Sequence, residues 1–456
     1  MNLAAPVVVS RNTNLGEQTL RISAELARNL QLTEGDTVII SVGRGESRFK
    51  IIIAERAGSF LELSPAALHR LHLPSARRYS LKAEEHRLKL GPVVGIMHRV
   101  SDDRSRPFDV QTNFIKELII EGTELGELCF GFDSRRINLS NRTVMGYTWN
   151  LNCWQRGTFP IPDVIYARNL SSSMGPLNLR RRLVKLGCAF VNPPLLGKWN
   201  TYQILSQSEE LKKYVPDTSR ASNFQQIERM LRKHGSVYIK PINGCKGHNI
   251  VKVSRKRGVA GPYQYQYKVN RQLHTRYASN RNDLRHNLRG VMRGRNYIVQ
   301  QQINLLRLNG SICDLRVMVQ KDGSGDWSVT GKAFRIGPRG SITSNISGGG
   351  SGGKVDFVLR KHFPDAEVRE GIIQEIDHLA VTAARVLDNE AGTIGELGID
   401  IGIDVNGRVW FIEANLMPAR KLFRLIGEPS TRRMTVLKPM LYARYLAGFN
   451  SGKVDV

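Results

Sequence analysis

The stretch "LGIDIGIDVNGRVWFIEAN" (397–415) constrains this chain more than any other. Two β-rich runs flank Asn406-Gly407. Asn-Gly between alternating runs is the strongest short-range signal for a hairpin with a two-residue turn. Such a turn fixes the register and sets Asp400 opposite Glu413. Side chains alternate across a strand. Ile399, Ile401, Ile403, Trp410 and Ile412 are then expected on one face, against a core. Asp400, Asp404, Glu413 and Asn415 fall on the other, with Gly398 and Gly402 between them. Opposed carboxylates ~5 Å apart repel each other, and a cation between them removes the repulsion. Mg²⁺ prefers hard oxygen ligands at ~2.1 Å and commonly takes one or two carboxylates plus substrate phosphates. The two glycines are expected to leave room for a ligand. A solvated face would mix lysines with the acids. In a chain with 67 Lys and Arg against 40 Asp and Glu, an all-acid face favours a metal. Asp404, beside the turn, reads as structural.

A second stretch supplies a complement. In "VYIKPINGCKGHNIV" (237–251) a strand pattern delivers Lys240, Pro241 ends the run, and Gly244, Lys246 and Gly247 follow. A glycine turn alone is consistent with an ordinary hairpin, and His248 reads as a loop residue. Beside the acid hairpin the pattern gains meaning. A lysine and loop N–H groups suit phosphates, and the carboxylates suit a metal carried by the same phosphates. Together they describe a Mg-nucleotide site.

The 456 residues suffice for two to four domains. The absence of an apolar run near the ~18 residues of a spanning helix, and of a basic segment ahead of the short apolar run at the N-terminus, gives the expectation of a soluble, unexported, cytoplasmic protein. Five scattered cysteines without a Cys-x-x-Cys pair argue against a disulfide framework or a zinc site. Residues 1–90 hold a weak repeat: "ISAELARNLQL" (22–32) and "LSPAALHRLHL" (63–73), with Ser23 and Ser64 as helix N-caps. Two strand–helix–strand copies predict a small β-barrel-like module, read as docking or structural. Residues 91–196 alternate strand, helix and strand, the pattern of a parallel βαβ layer. From 197 the alternation continues, with a long helix from Asp365 to about Asp388. "SNISGGGSGGK" (344–354) has the composition of a linker, but its place between strands suits a mobile loop over a site.

The net charge of +27 predicts attraction to polyanions. Residues 252–295 carry twelve Lys or Arg against Asp283 alone. Arg281, Arg285, Arg289 and Arg293 recur every four residues, which stacks them on one helix face. Tyr263, Tyr265 and Tyr267 alternate nearby and are candidates for stacking on bases. A basic lid, or a docking face for an acidic partner, is the competing reading. No recognised nucleic-acid module accompanies the patch.

Asp400, Glu413 and Asn415 in a D-x₁₂-E-x-N pattern, followed by Pro418, resemble the ATP-grasp superfamily over roughly residues 91–456. "PDVIYARN", "DLRVMVQ" (314–320) and "SNISGGG" bring the whole chain closest to its endospore-coat-associated YheC/YheD group. The resemblance implies an α/β (α+β) ATP-grasp fold at 197–456, a pre-ATP-grasp βαβ domain at 91–196 and the small N-terminal β-barrel-like module at 1–90. It implies that Lys198 and Lys240 contact ATP phosphates beneath a loop of Gly244, Lys246 and Gly247. It implies adenine read by backbone groups near Gln301 and Gln302, ribose by Asp314, and phosphates flanked by Asn345, Gly349 and Gly350. Arg316 and Arg335 would be catalytic, facing the transferred phosphoryl group and a substrate carboxylate. Asp400, Glu413 and Asn415 would hold Mg²⁺, with Mn²⁺ as a substitute. The implied activity is an ATP-dependent carboxylate–amine (or thiol) ligase acting through an acyl phosphate, in the cytoplasm or the spore coat. The alternatives are a non-catalytic nucleotide-binding coat component, with acidic coat proteins or an anionic polymer as partners, and nucleic-acid binding through 252–295. The sequence departs from the family pattern at Gln301, His248 and Asn249, and in "NLMPAR".

Overall fold

The computed structural model describes residues 4–168, 174–193, 197–242, 249–256, 261–269, 272–292, 296–344, 346 and 349–449. The chain divides into two compact units. One comprises Met1–Leu195, Lys321–Asp326 and Val436–Val456; the other comprises Leu196–Gln320 and Trp327–Thr435.

The first unit begins with a closed seven-stranded barrel: β1 (Ala4–Arg11), β2 (Thr19–Ser23), β3 (Thr37–Val42), β4 (Gly45–Ala54), β5 (Phe60–Leu63), β6 (Arg77–Glu84) and β7 (Arg87–Gly91). The repeat explains its topology. β1 pairs parallel with β5 of the second copy, and β2 pairs parallel with β4, so each half lends a strand to the other. Ile22 lies opposite Leu61 where β2 and β5 meet. Both predicted caps form. Ser23 Oγ accepts from Leu26 N at 3.4 Å, and Ser64 Oγ accepts from Ala67 N at 3.2 Å. Each satisfies an N–H that the first helical turn leaves without an intrahelical partner.

The parallel layer also forms. β8 (Val93–Met97), β9 (Leu128–Asn138), β12 (Val164–Ala167) and β13 (Ala189–Val191) are parallel neighbours, with the helix Thr112–Glu124 between β8 and β9. Sequence reasoning missed β10 (Thr143–Asn150) and β11 (Cys153–Pro160), which extend this sheet antiparallel. β11 has few buried side chains, so its hydrophobic pattern is weak.

One buried group in this unit went unanticipated. Glu127 is 1% exposed, and Cys129 Sγ donates to it at 3.3 Å. Burial pushes its carboxyl up to about 8, against the opposing pull of Arg444. Between the ordinary carboxyl range and about 8 the folded chain keeps a proton that the unfolded chain has released, so stability falls as pH rises through that window. Glu127→Gln is expected to remove this fall. Urea midpoints of both proteins at pH 5 and pH 8 check it; equal pH dependence would refute the assignment.

The second unit holds two sheets. The first runs β14 (Thr218–Arg220), β19 (Tyr297–Gln301), β15 (Ser236–Pro241), β16 (Val251–Arg255), β17 (Tyr263–Val269) and β18 (Gln272–Ala278), all antiparallel. The second runs β23 (Ser351–Gly353), β22 (Trp327–Ile336), β21 (Ser311–Lys321), β24 (Glu396–Ile403) and β25 (Val409–Asn415), with β20 (Arg307–Leu308) paired to β21. The helix Ala366–Ala391 packs on this sheet and is N-capped by Asp365, whose Oδ1 accepts from Glu367 N and Val368 N. The glycine-rich 344–354 stretch is not simply a linker. Ser351–Gly353 form the edge strand, and a Cβ on Gly352 would lie 2.7 Å from Ile426. Glycine there permits close packing.

A candidate nucleotide site on the second unit

The acid hairpin forms, with a different turn. Asp404 N donates to Arg408 O and Gly407 N to Asp404 O, both at 3.0 Å, so the loop has three residues, Val405–Gly407. Gly407 takes φ +85°, and the Asp404 carboxylate accepts from Asn406 N and Arg408 N. That is the alternative turn in which a left-handed glycine follows a tight bend. The longer loop shifts the register by one near the turn, pairing Gly402 with Trp410 and Ile401 with Phe411. A bulge at Ile412 restores it, and Asp400 faces Glu413 as expected. The face assignment therefore changes. Phe411 replaces Trp410 on the face of Ile401, and Trp410 donates its Nε1–H to Asp404 Oδ2 at 3.0 Å. The expected room above the glycines is filled. A Cβ on Gly398 would lie 2.6 Å from Pro418 and 3.2 Å from Arg316, and one on Gly402 would lie 2.5 Å from Leu305.

Four cations meet three acids beside this hairpin. Arg316, opposite Asp400 in the β21–β24 register, donates from Nε to its Oδ1 at 2.5 Å. Arg335 bridges Asp314, at 2.7 and 2.5 Å, and Asp400, at 2.8 Å. Both arginines and both aspartates are buried. Burial opposes ionisation of Asp400, but the two guanidiniums outweigh it and hold the carboxyl below its ordinary range. Burial likewise opposes the Arg335 charge, and Asp314 and Asp400 overcome it. Lys198, at the start of the helix Lys198–Gln207, reaches Glu413 Oε1 at 3.0 Å. Lys240 donates to neutral Gln300 Oε1 at 2.6 Å. Burial pushes its ammonium down to about 8, and Glu413, Lys198, Asp314 and Asp400 all act on its charge.

The family model for YheC/D-like ATP-grasp matches residues 187–446. This chain belongs to the YheC/D-like ATP-grasp family. Among curated relatives it is 29% identical to endospore coat-associated protein YheD of Bacillus subtilis (strain 168), over 84% of this chain and 85% of that one. It is 25% identical to endospore coat-associated protein YheC of the same strain, over 70% of this chain and 86% of that one. Among solved structures it is similar to the ATP-grasp ligase PsnB complexed with minimal precursor, Mg and ADP, with TM-score 0.41 and 14% identity, covering 75% of this chain and 98% of that chain.

In this ATP-grasp chain Lys198, Lys240, Asp314, Arg316, Arg335, Asp400 and Glu413 come together, and Asn415 Nδ2 lies 3.5 Å from Asp400 Oδ2. Gln301 and Gln302 turn elsewhere. Gln301 bonds Asp217 through Oε1 and its backbone N–H, and Gln302 bonds Ser236 the same way. Gly244, Lys246, Gly247 and Asn345 lie outside the described residues. Gln300, one residue before the expected pair, is the group that sequence reasoning missed. No sequence signal marked it, because Lys240 and Gln300 meet only through the pairing of β15 with β19.

The basic stretch resolves differently from its tyrosine reading. Tyr265 is 6% exposed in the core of the β14–β19 sheet, Tyr263 and Tyr267 pack against that core, and Tyr267 stacks on His274. Core packing takes Tyr265 out of reach of a base, while Tyr263 and Tyr267 stay half-buried. Arg281 pairs with Glu228 at 2.8 Å, while Arg293 lies outside the described residues. No described helix is long and apolar enough to cross a membrane.

Proposed function

We propose that this protein binds Mg-ATP at the Asp400–Glu413 hairpin and uses it to ligate a carboxylate to an amine or thiol. The observation that carries the reading is the meeting of Lys198, Lys240, Arg316 and Arg335 with Asp314, Asp400 and Glu413 on one face of the second unit. The donor chemistry fits both parts of the ligand. Two carboxylates and the Asn415 amide oxygen are hard donors suited to Mg²⁺. The cations exceed the acids by one, and Lys240 is a half-buried ammonium hydrogen-bonded to a neutral amide, an arrangement that a phosphate oxygen would improve. Mg²⁺ held there would neutralise and orient the phosphates.

Phosphoryl transfer asks a protein chiefly for positioning and charge neutralisation. Lys240 and Lys198 would hold phosphate oxygens. Arg316 and Arg335 would fix Asp400 in place and present positive charge toward the transferred group. The substrate carboxylate oxygen attacks the terminal phosphorus, ADP leaves, and an amine or thiol then displaces phosphate from the acyl carbon. We further propose an association with the spore coat, which the names of the two Bacillus subtilis relatives support. A second reading, nucleotide binding without transfer, is favoured by the use of both arginines on neighbouring acids.

The experiment measures ADP formation with ATP, Mg²⁺ and pooled carboxylates. ADP is expected to depend on the added carboxylate, and hydroxylamine is expected to trap a hydroxamate. Glu413→Gln is expected to weaken the Mg²⁺ dependence. Tight Mg-ATP binding with no ADP above background across a broad carboxylate and amine panel would replace the ligase reading by the second one.

A further inference from the structure

A basic cleft lies wholly within the first unit. Its volume is about 510 Å³, within the range of small-molecule pockets. Six cations line it: Arg44, Lys82, Arg87, Lys89, Arg142 and Lys185. Glu46 and Glu84 are the acids in its wall. We propose that this cleft binds a small multivalent anion, carrying about three negative charges on phosphoryl or carboxylate groups.

The charge count sets the valence. Six cations against two wall acids leave an excess of four, and Asp163, buried behind the wall, lowers it to three. The acids steady part of the wall instead of closing it. Lys82 meets Glu84 at 2.6 Å, Arg87 meets Glu46 at 3.1 Å and Lys89 meets Asp163 at 2.8 Å. These contacts hold three cationic side chains in place, which lowers the ordering penalty of binding. The floor is built from backbone. Arg44, in the turn between β3 and β4, donates its N–H to Ile161 O at 2.9 Å and its guanidinium to Gly187 O. A Cβ on Gly43 would collide with the Ile161 carbonyl, so the turn seats against the segment between β11 and β12 only as glycine. Arg142 and Lys185 stand exposed at the rim.

The wall also excludes other ligand classes. No aromatic ring lines it, so it offers nothing for a base to stack on. Leu186 is its one large apolar side chain, too little for an acyl chain. Charge is the recognition element, and the net +27 of the chain would add attraction over a Debye length of ~8 Å at physiological salt.

Calorimetric titration of the full chain with inorganic tripolyphosphate at 150 mM salt tests the proposal, with citrate as the carboxylate arm. The pair Arg142→Gln and Lys185→Gln, both with exposed side chains, is expected to remove one bound anion per chain or weaken it at least tenfold, and to leave Mg-ATP affinity unchanged. The control pair Arg11→Gln and Arg28→Gln removes the same charge from elsewhere on the first unit and is expected to change nothing. Loss of tripolyphosphate alone assigns phosphoryl recognition; loss of both anions assigns recognition by charge number. Equal weakening by the two pairs would reduce the effect to the diffuse field of the chain and overturn the site. So would a wild-type isotherm in the first pair.

Discussion

Replacing Lys240 by Met is expected to weaken Mg-ATP binding by about 100-fold while raising the stability of the free protein at pH 7. The first effect follows from losing a charge-assisted contact to phosphate, worth ~2–3 kcal/mol. The second follows from burial. The ammonium is pushed down to about 8 in the folded chain. Holding its charge at pH 7 therefore opposes folding, by on the order of 1–3 kcal/mol. The sign with pH is opposite to that of Glu127. Between about 8 and the ordinary lysine range the folded chain has released a proton that the unfolded chain keeps, so stability rises with pH across that window. Methionine removes the rise. ATP affinity of the wild type should fall above pH 8, because binding then requires proton uptake, and the variant should lack this fall. Calorimetry and urea titrations at pH 7 and 9 measure both. A variant that binds ATP normally and is less stable at pH 7 would show that Lys240 is a structural cation satisfied by Gln300.

Arg335→Met should destabilise the second unit by about 3–5 kcal/mol, because it leaves two buried carboxylates short of a partner. Asp314 would lose a two-point contact and Asp400 one of its two guanidiniums. The loss should be smaller in Arg335→Met/Asp314→Asn, where one buried charge has gone, and a double-mutant cycle gives the coupling. The effect should also depend on pH. Asp400 is held below its ordinary range, so its stabilising contribution is present above that range and disappears as pH falls through the lowered value. Part of that acid-side dependence should vanish with Arg335. Urea unfolding followed by Trp410 fluorescence reports the change. A loss under ~1 kcal/mol would mean that water reaches the two aspartates and the network contributes little. Because the substitution removes stability as well as charge, turnover of this variant is interpretable only at temperatures where it remains folded.

The sequence alone determined what depends on neighbours along the chain. Ser23 and Ser64 cap helices because an N-cap needs only a hydroxyl and the N–H three residues on. The 41-residue repeat implied a barrel because two equal halves bury their apolar faces against each other. The pairing of Asp400 with Glu413 was also legible, although by compensation. The turn is one residue longer than Asn-Gly implies, and the bulge at Ile412 returns the register. The Asn-Gly pair alone did not show this, since the Asp404 carboxylate accepts from Asn406 N, Arg408 N and Trp410 Nε1 in the longer loop. The tertiary structure decided what depends on distant strands meeting. It gave Arg316 and Arg335 to Asp314 and Asp400, Lys198 to Glu413, and Gln300 to Lys240. It turned Gln301 and Gln302 toward Asp217 and Ser236, and buried Glu127 beside Cys129. Each pairing satisfies a polar or charged group that the fold has taken out of water. Which group answers which is set by strand order and register, and a residue's sequence neighbours carry no record of either.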